Sequence, residues 1–190
     1  MNKTMSLRVS QYLERLRMNA VRGYIVGDVL DIGCGYGGVV RTVLPKPENY
    51  VGVDHNPIVV QWLQRKYPGY TFLSLDLDNE SIPNQRKFDT VLMIAVLEHL
   101  AEPARLVSSL PELLKPAGKV VLTTPTLLGG RVHTLGGGLG IFSREAKEDH
   151  KGFYSRRSLE QLFLRGDLRL IKYHPFMAGM NQVALFQRAA

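Results

Sequence analysis

The stretch VLDIGCGYGGVV, Val29 to Val40, constrains the fold of this chain more than any other. An apolar run of strand character reaches an aspartate and then meets four glycines in six positions, which neither a strand nor a helix can run through. A strand, a tight turn and a helix must follow one another here. Gly33, Gly35 and Gly38 fit the spacing G-x-G-x-x-G, and Asp54 stands about twenty residues further on, at the end of the next apolar run. Glycine is required because a β-carbon would keep the backbone from approaching a ligand, and because some turn conformations need positive φ.

The rest of the chain repeats the same grammar. Short runs rich in Val, Ile and Leu alternate with helical patterns, which predicts an α/β fold of parallel strands joined by crossover helices. The expected strands are Val29 to Ile32, Tyr50 to Val53, Thr71 to Leu75, Thr90 to Ile94, Lys119 to Thr124, Leu168 to Tyr173 and Gln182 to Phe186. Asn56-Pro57 supplies a cap and a first-turn proline for a helix that Tyr67-Pro68-Gly69 ends, with Trp62 expected in the core. An amphipathic helix is expected over Ser6 to Val21, and another from Ser155, where Leu159, Leu162 and Phe163 have helical spacing. Thr126 to Phe153 is too rich in glycine for a regular element and too long for an ordinary connection. It is expected to be disordered or to act as a lid, flexing at Gly136-Gly137-Gly138.

At 190 residues, the whole chain, 1–190, is expected to form a single domain. A chain of that size buries roughly 70% of its unfolded surface and needs neither metal nor disulfide to hold a core. Its one cysteine, Cys34, can form no internal bridge and is expected to be a small filler between glycines. The N-terminus mixes Arg and Glu among its apolar residues and has no signal or membrane segment, so a cytoplasmic protein is expected. The formal charge of +7 favours anionic partners, nucleic acid among them. No block of like charge or interleaved aromatic residues marks a nucleic-acid surface, and a solvated basic surface accounts for the excess.

The nature of the ligand over the glycine turn is set by Asp31. A carboxylate beside the amides that would receive a pyrophosphate repels that charge, which argues against a dinucleotide. A cationic nucleoside fits better. S-adenosylmethionine carries a sulfonium and an ammonium group, and its ribose hydroxyls can donate to Asp54.

The segments VLDIGCGYG, VGVDHN, FDTVLMIAVLEHL and LLKPAGKVVLTTP resemble, in order and spacing, those of class I S-adenosylmethionine-dependent methyltransferases, nearest the ubiquinone and menaquinone biosynthesis type. The resemblance covers most of the chain. It implies a Rossmann-like three-layer sandwich with a seven-stranded, mostly parallel sheet whose last strand is antiparallel. It also implies that Asp31, Gly33, Gly35 and Gly37 line the methionine side of the cofactor, and that Asp54 with its neighbour His55 lies at the ribose. Asp76 and Leu77 then fall at the adenine, and Ile94 and Ala95 near the methionine portion. The alternative for Asp76 is a role within its own turn, since LDLDNESIPN is rich in turn formers.

Glu98-His99 matches part of a Glu-x-x-Glu-His arrangement that binds a divalent ion in small-RNA 2′-O-methyltransferases, but Ala95 stands where the first glutamate would be. No metal is therefore expected. Methyl transfer needs alignment of the attacking atom above all, and a base if that atom is a hydroxyl or an ammonium. His150, just ahead of Phe153-Tyr154-Ser155, is the first candidate for that base, His133 the second and Tyr154 the third. The expected acceptor is a small molecule, a sugar or a lipid head group. An RNA acceptor, or a cofactor-binding accessory protein without turnover similar to one of methionine biosynthesis, stand as alternatives.

Overall fold

A computed structural model of the chain describes residues 3–83, 85–130 and 152–188. His133 and His150, and most of the expected lid, lie outside the described residues. Strands β1 (Val29–Ile32), β2 (Tyr50–Asp54), β3 (Thr71–Ser74), β4 (Phe88–Ile94), β5 (Leu114–Pro125), β6 (Leu168–Phe176) and β7 (Asn181–Arg188) form a seven-stranded sheet in the order β3-β2-β1-β4-β5-β7-β6. The first five run parallel, and β7 pairs antiparallel with both β5 and β6. All seven expected strands are present, and the antiparallel last strand falls where it was expected.

Alternation along the strands makes three layers. In β1, Leu30 and Ile32 face one side of the sheet and join Val91, Met93, Val120 and Leu122 in a core closed by α4 (Pro103–Leu113) and α5 (Arg156–Leu164). On the other side Val29, Leu92 and Val121 pack under α1 (Lys3–Val21), α2 (Gly38–Val43) and α3 (Pro57–Lys66). The period-2 pattern therefore places Asp31 on the second face, beneath α1 to α3, among apolar neighbours.

Local chemistry fixes the helix starts. Asn56 accepts hydrogen bonds from the Ile58 and Val59 amides ahead of Pro57, and Ser155 and Ser158 cap α5 reciprocally. Helix α4, which was not among the expected helices, buries Leu106, Val107, Leu110 and Leu113 at three- and four-residue spacing. One expectation fails. Trp62 does not enter the core: α3 presents Val59, Val60 and Leu63 to the sheet, and Trp62 lies on the outer face, against the Tyr36 ring at 5.6 Å and beneath the Lys66 ammonium at 4.3 Å. Cys34 is buried, and a β-carbon on Gly52 of the next strand would approach its sulfur to 3.1 Å.

Strand order reverses between β1 and β4, because the chain runs outward from β1 through β2 to β3 and then crosses back to β4. At such a point the connections leave in opposite directions and open a crevice at the carboxyl ends of the strands.

Candidate functional site

The crevice is a cleft of about 590 Å³, within the range that holds a nucleoside-sized ligand. Its walls come from the turn after β1, the end of β2, the loop after β3 and the turn after β4: Gly33, Asp54, Asp76, Leu77, Ala95 and His99 among them. Gly33 has φ +70°, and a β-carbon there would lie 2.4 Å from Val96 Cγ2 across the cleft floor. Both the left-handed backbone and the close approach demand glycine. Ala95 adopts φ +56°, a strained value for a residue with a side chain, and its amide donates to the Thr123 carbonyl at 2.9 Å.

Asp54 is fixed from two sides. Its Oδ2 accepts the Gly35 amide at 2.9 Å and its Oδ1 the Asn56 amide at 3.0 Å. A carboxylate has about four lone-pair positions, so the pinned group retains acceptor capacity toward the cleft it lines. Such a group suits a vicinal diol. Asp31 is 2% exposed and accepts a hydrogen bond from the Tyr50 hydroxyl at 2.8 Å. Burial raises its pKa to about 7, against the lowering effect of Tyr50, and the charge of Asp54 adds to the rise.

Of the residues expected at the cofactor, Gly33, Asp54, His55, Asp76, Leu77 and Ala95 line the cleft. Asp31, Gly35, Gly37 and Ile94 are not among the residues that line it. His55 is largely exposed, with Nδ1 3.5 Å from Asp54 Oδ1. The carboxylate of Asp76 is engaged within its own turn, accepting from the Asp78 amide at 3.1 Å and the Asn79 side chain at 2.8 Å. Tyr154, expected as a candidate base, donates its hydroxyl to the Leu97 carbonyl at 3.3 Å. Burial, and then the charge of Glu98, push its phenol pKa up.

A second group of polar residues, absent from the expectations except for Glu98 and Tyr154, lies behind the turn after β4. Glu98 is fully buried; its Oε2 accepts from Thr124 Oγ1 at 3.0 Å, while Oε1 has no hydrogen-bond partner among the described residues. Arg17, on α1, has a guanidinium whose buried Nε also lacks a partner among the described residues. Burial raises the pKa of Glu98 and lowers that of Arg17, and each charge counteracts the shift of the other. Arg17 carries a sequence signal only in hindsight: it sits beside Met18 on the inward edge of α1, where a charged residue needs a reason. Among the described residues no cluster of three or more His, Cys, Asp or Glu could hold a metal ion, and no described helix is long and apolar enough to cross a membrane.

A doubly wound sheet with a glycine turn, an acid pinned by two backbone amides and a cleft at its switch point is an α/β architecture of the Rossmann-like kind. The chain belongs to the methyltransferase domain family, whose model matches residues 1–173. It is 33% identical over 102 residues to a ubiquinone biosynthesis O-methyltransferase of Pseudomonas aeruginosa, spanning 50% of this chain and 43% of that protein. A ubiquinone biosynthesis O-methyltransferase of Coxiella burnetii is 28% identical over 160 residues, spanning 77% and 68%. The chain thus spans less than half the length of the Pseudomonas relative it matches. Among solved structures, magnesium protoporphyrin IX methyltransferase from Synechocystis PCC 6803 with bound SAH superposes with a TM-score of 0.70 at 19% identity, covering 100% of this chain and 89% of that one. At that identity the likeness speaks for the fold.

Proposed function

We propose that this protein is an S-adenosylmethionine-dependent methyltransferase acting on a small-molecule acceptor, and that residues 1–190 work as one domain. The observation that carries the reading is Asp54: a carboxylate pinned by two backbone amides, lining a cleft of nucleoside size, with lone pairs left for ribose hydroxyls. The buried acid Asp31 beneath the glycine turn adds a field that favours a cation over a pyrophosphate. In this reading Gly33 and Ala95 bound the methionine portion, with Asp31, Gly35, Gly37 and Ile94 supporting that end from behind. Asp54 and His55 hold the ribose, and Leu77 packs on the adenine beside Asp76. When bound, the cofactor supplies a methyl group already activated by its positive sulfur. The protein need only bind, align and exclude water.

The family match and the names of the relatives support transfer to a small molecule, and the single buried thiol suits a reducing, cytoplasmic location. Calorimetry tests the reading. S-adenosylmethionine and its demethylated product should bind with micromolar or tighter Kd and NAD should not; tight NAD binding with no uptake of the sulfonium compound would refute it.

A further inference from the structure

Helix α3 gives Val59, Val60 and Leu63 to the sheet and keeps a second set of residues outside. Ile58, Trp62, Arg65 and Lys66 fall on one outer face at helical spacing, and all four are exposed, Ile58 at 76%. Exposed apolar residues that stand singly need no explanation, but these do not stand singly. Tyr36, 62% exposed in the middle of the glycine turn, packs edge-on against Trp62 with ring centroids 5.6 Å apart. The Lys66 ammonium lies 4.3 Å from the centroid of the same indole. One surface thus joins an aliphatic tip, two amphipathic rings and two cations, and it runs into the turn whose Gly33 lines the cleft.

Its charge is of one sign. Helix α3 carries Arg65 and Lys66 and no acid. Glu14, the acid that reaches the start of α2, is paired with Arg41 at 2.6 Å. An anionic partner is therefore favoured, and the residue types decide which. Single-stranded nucleic acid needs open ring faces on which bases stack, whereas Tyr36 and Lys66 already stand against Trp62 and Ile58 has no ring. A second copy seated on the same face would set Arg65 and Lys66 against their own counterparts. A bilayer meets every element: indole and phenol settle at head-group level, the isoleucine enters the acyl boundary, and the two cations reach lipid phosphates along their apolar stems. We propose that the outer face of α3, together with Tyr36, is a docking surface for a membrane containing anionic phospholipid. No described helix is long and apolar enough to cross that membrane, so the contact is peripheral. Docking here sets the glycine turn, and the cleft beside it, at the lipid surface; the proposal goes beyond the methyltransferase reading and holds whatever the reaction is.

Trp62 is the only tryptophan of the chain, so its emission reports on this face alone. The full chain is mixed with vesicles of phosphatidylcholine, either pure or with an equal share of phosphatidylglycerol. With the anionic vesicles the emission should move to shorter wavelength and be quenched by brominated acyl chains. Affinity should exceed that for neutral vesicles about 30-fold, the effect of two cations near the surface, and should fall as salt is raised. Ile58→Asp should weaken binding about tenfold. An acid is favourable in the first turn of a helix, so this variant should keep the melting curve of the parent. Lys66→Gln should weaken binding about fivefold. Leu164→Asp, which places the same charge on a leucine 59% exposed on α5 across the sheet, should bind as the parent does. Emission indifferent to anionic vesicles, binding unchanged in Ile58→Asp, or an equal loss in Leu164→Asp would each overturn the proposal. So would quenching by polyuridine with no response to vesicles, which marks a nucleic-acid face, or a shift that follows protein concentration without lipid, which marks contact between copies.

Discussion

The two ends of the sheet treat their acids in opposite ways. At the amino ends of β1 and β4, Asp28 and Asp89 share the Lys115 ammonium, with Arg86 also on Asp28, and every charge has an opposite within bonding distance. The hydrogen bond from Lys115 holds both carboxyls below their usual pKa. At the carboxyl ends, Asp31 and Glu98 are buried with no cation closed on them among the described residues, and desolvation raises both. The same residue types thus favour their charged form at one end and resist it at the other. Paired, partly exposed acids stabilise a fold modestly, whereas buried unpaired acids cost stability and persist where a ligand restores the balance.

That contrast can be broken at its strongest point first. Asp54→Ala should weaken S-adenosylmethionine binding about 100-fold, the loss expected for charge-assisted bonds to a diol, with a melting curve close to the parent; calorimetry reads it directly. Next is pH. Asp31, with a pKa of about 7 in the free protein, must be ionised to attract a cation, so cofactor affinity should fall about tenfold per pH unit below that value. Asp31→Asn should bind weakly with a flat profile.

Stability should follow the opposite signs. A carboxyl raised in the folded state binds more protons there than when unfolded, so the Asp31 contribution falls as pH rises from about 4 to about 7. Asp28 and Asp89, lowered by pairing, contribute stability that is present above their unfolded pKa and lost as pH falls through the folded one. Thermal melts should show the first trend removed by Asp31→Asn between about pH 4 and about 7, and the second removed by Lys115→Met below about pH 4, each variant leaving the other trend in place. Smaller still, Tyr50→Phe removes the donor that lowers the Asp31 pKa, and should move the affinity–pH curve to higher pH without abolishing binding. The least effect on function is expected from Lys115→Met, which should lower Tm by a few degrees, more at low salt, with cofactor Kd unchanged.

Much of this was legible in the chain itself because it depends on near neighbours. The strand periods gave all seven strands, and Asn56-Pro57 and Ser155 gave two helix starts, since caps act within three or four residues. The glycine turn and Asp54 belong to one β-turn-α-β unit, and the structure brings Gly33 and Asp54 into one cleft wall through contacts such as Gly35 to Asp54, nineteen positions apart, and Gly33 to Val53, both within that unit. Trp62 shows the limit of such reasoning: helix α3 is apolar enough on both flanks that composition alone does not say which flank faces the sheet, and Val59, Val60 and Leu63 take that place.

Sequence by itself determined the layered α/β architecture, the bend after β1 and the acids beside it, because these follow from side-chain period and backbone sterics over short stretches. Only the tertiary structure decided that Asp31 is buried against Tyr50 and that Glu98 is buried against Thr124. Those outcomes depend on desolvation and on contacts between residues 19 and 26 positions apart. Neither quantity is written in any local pattern.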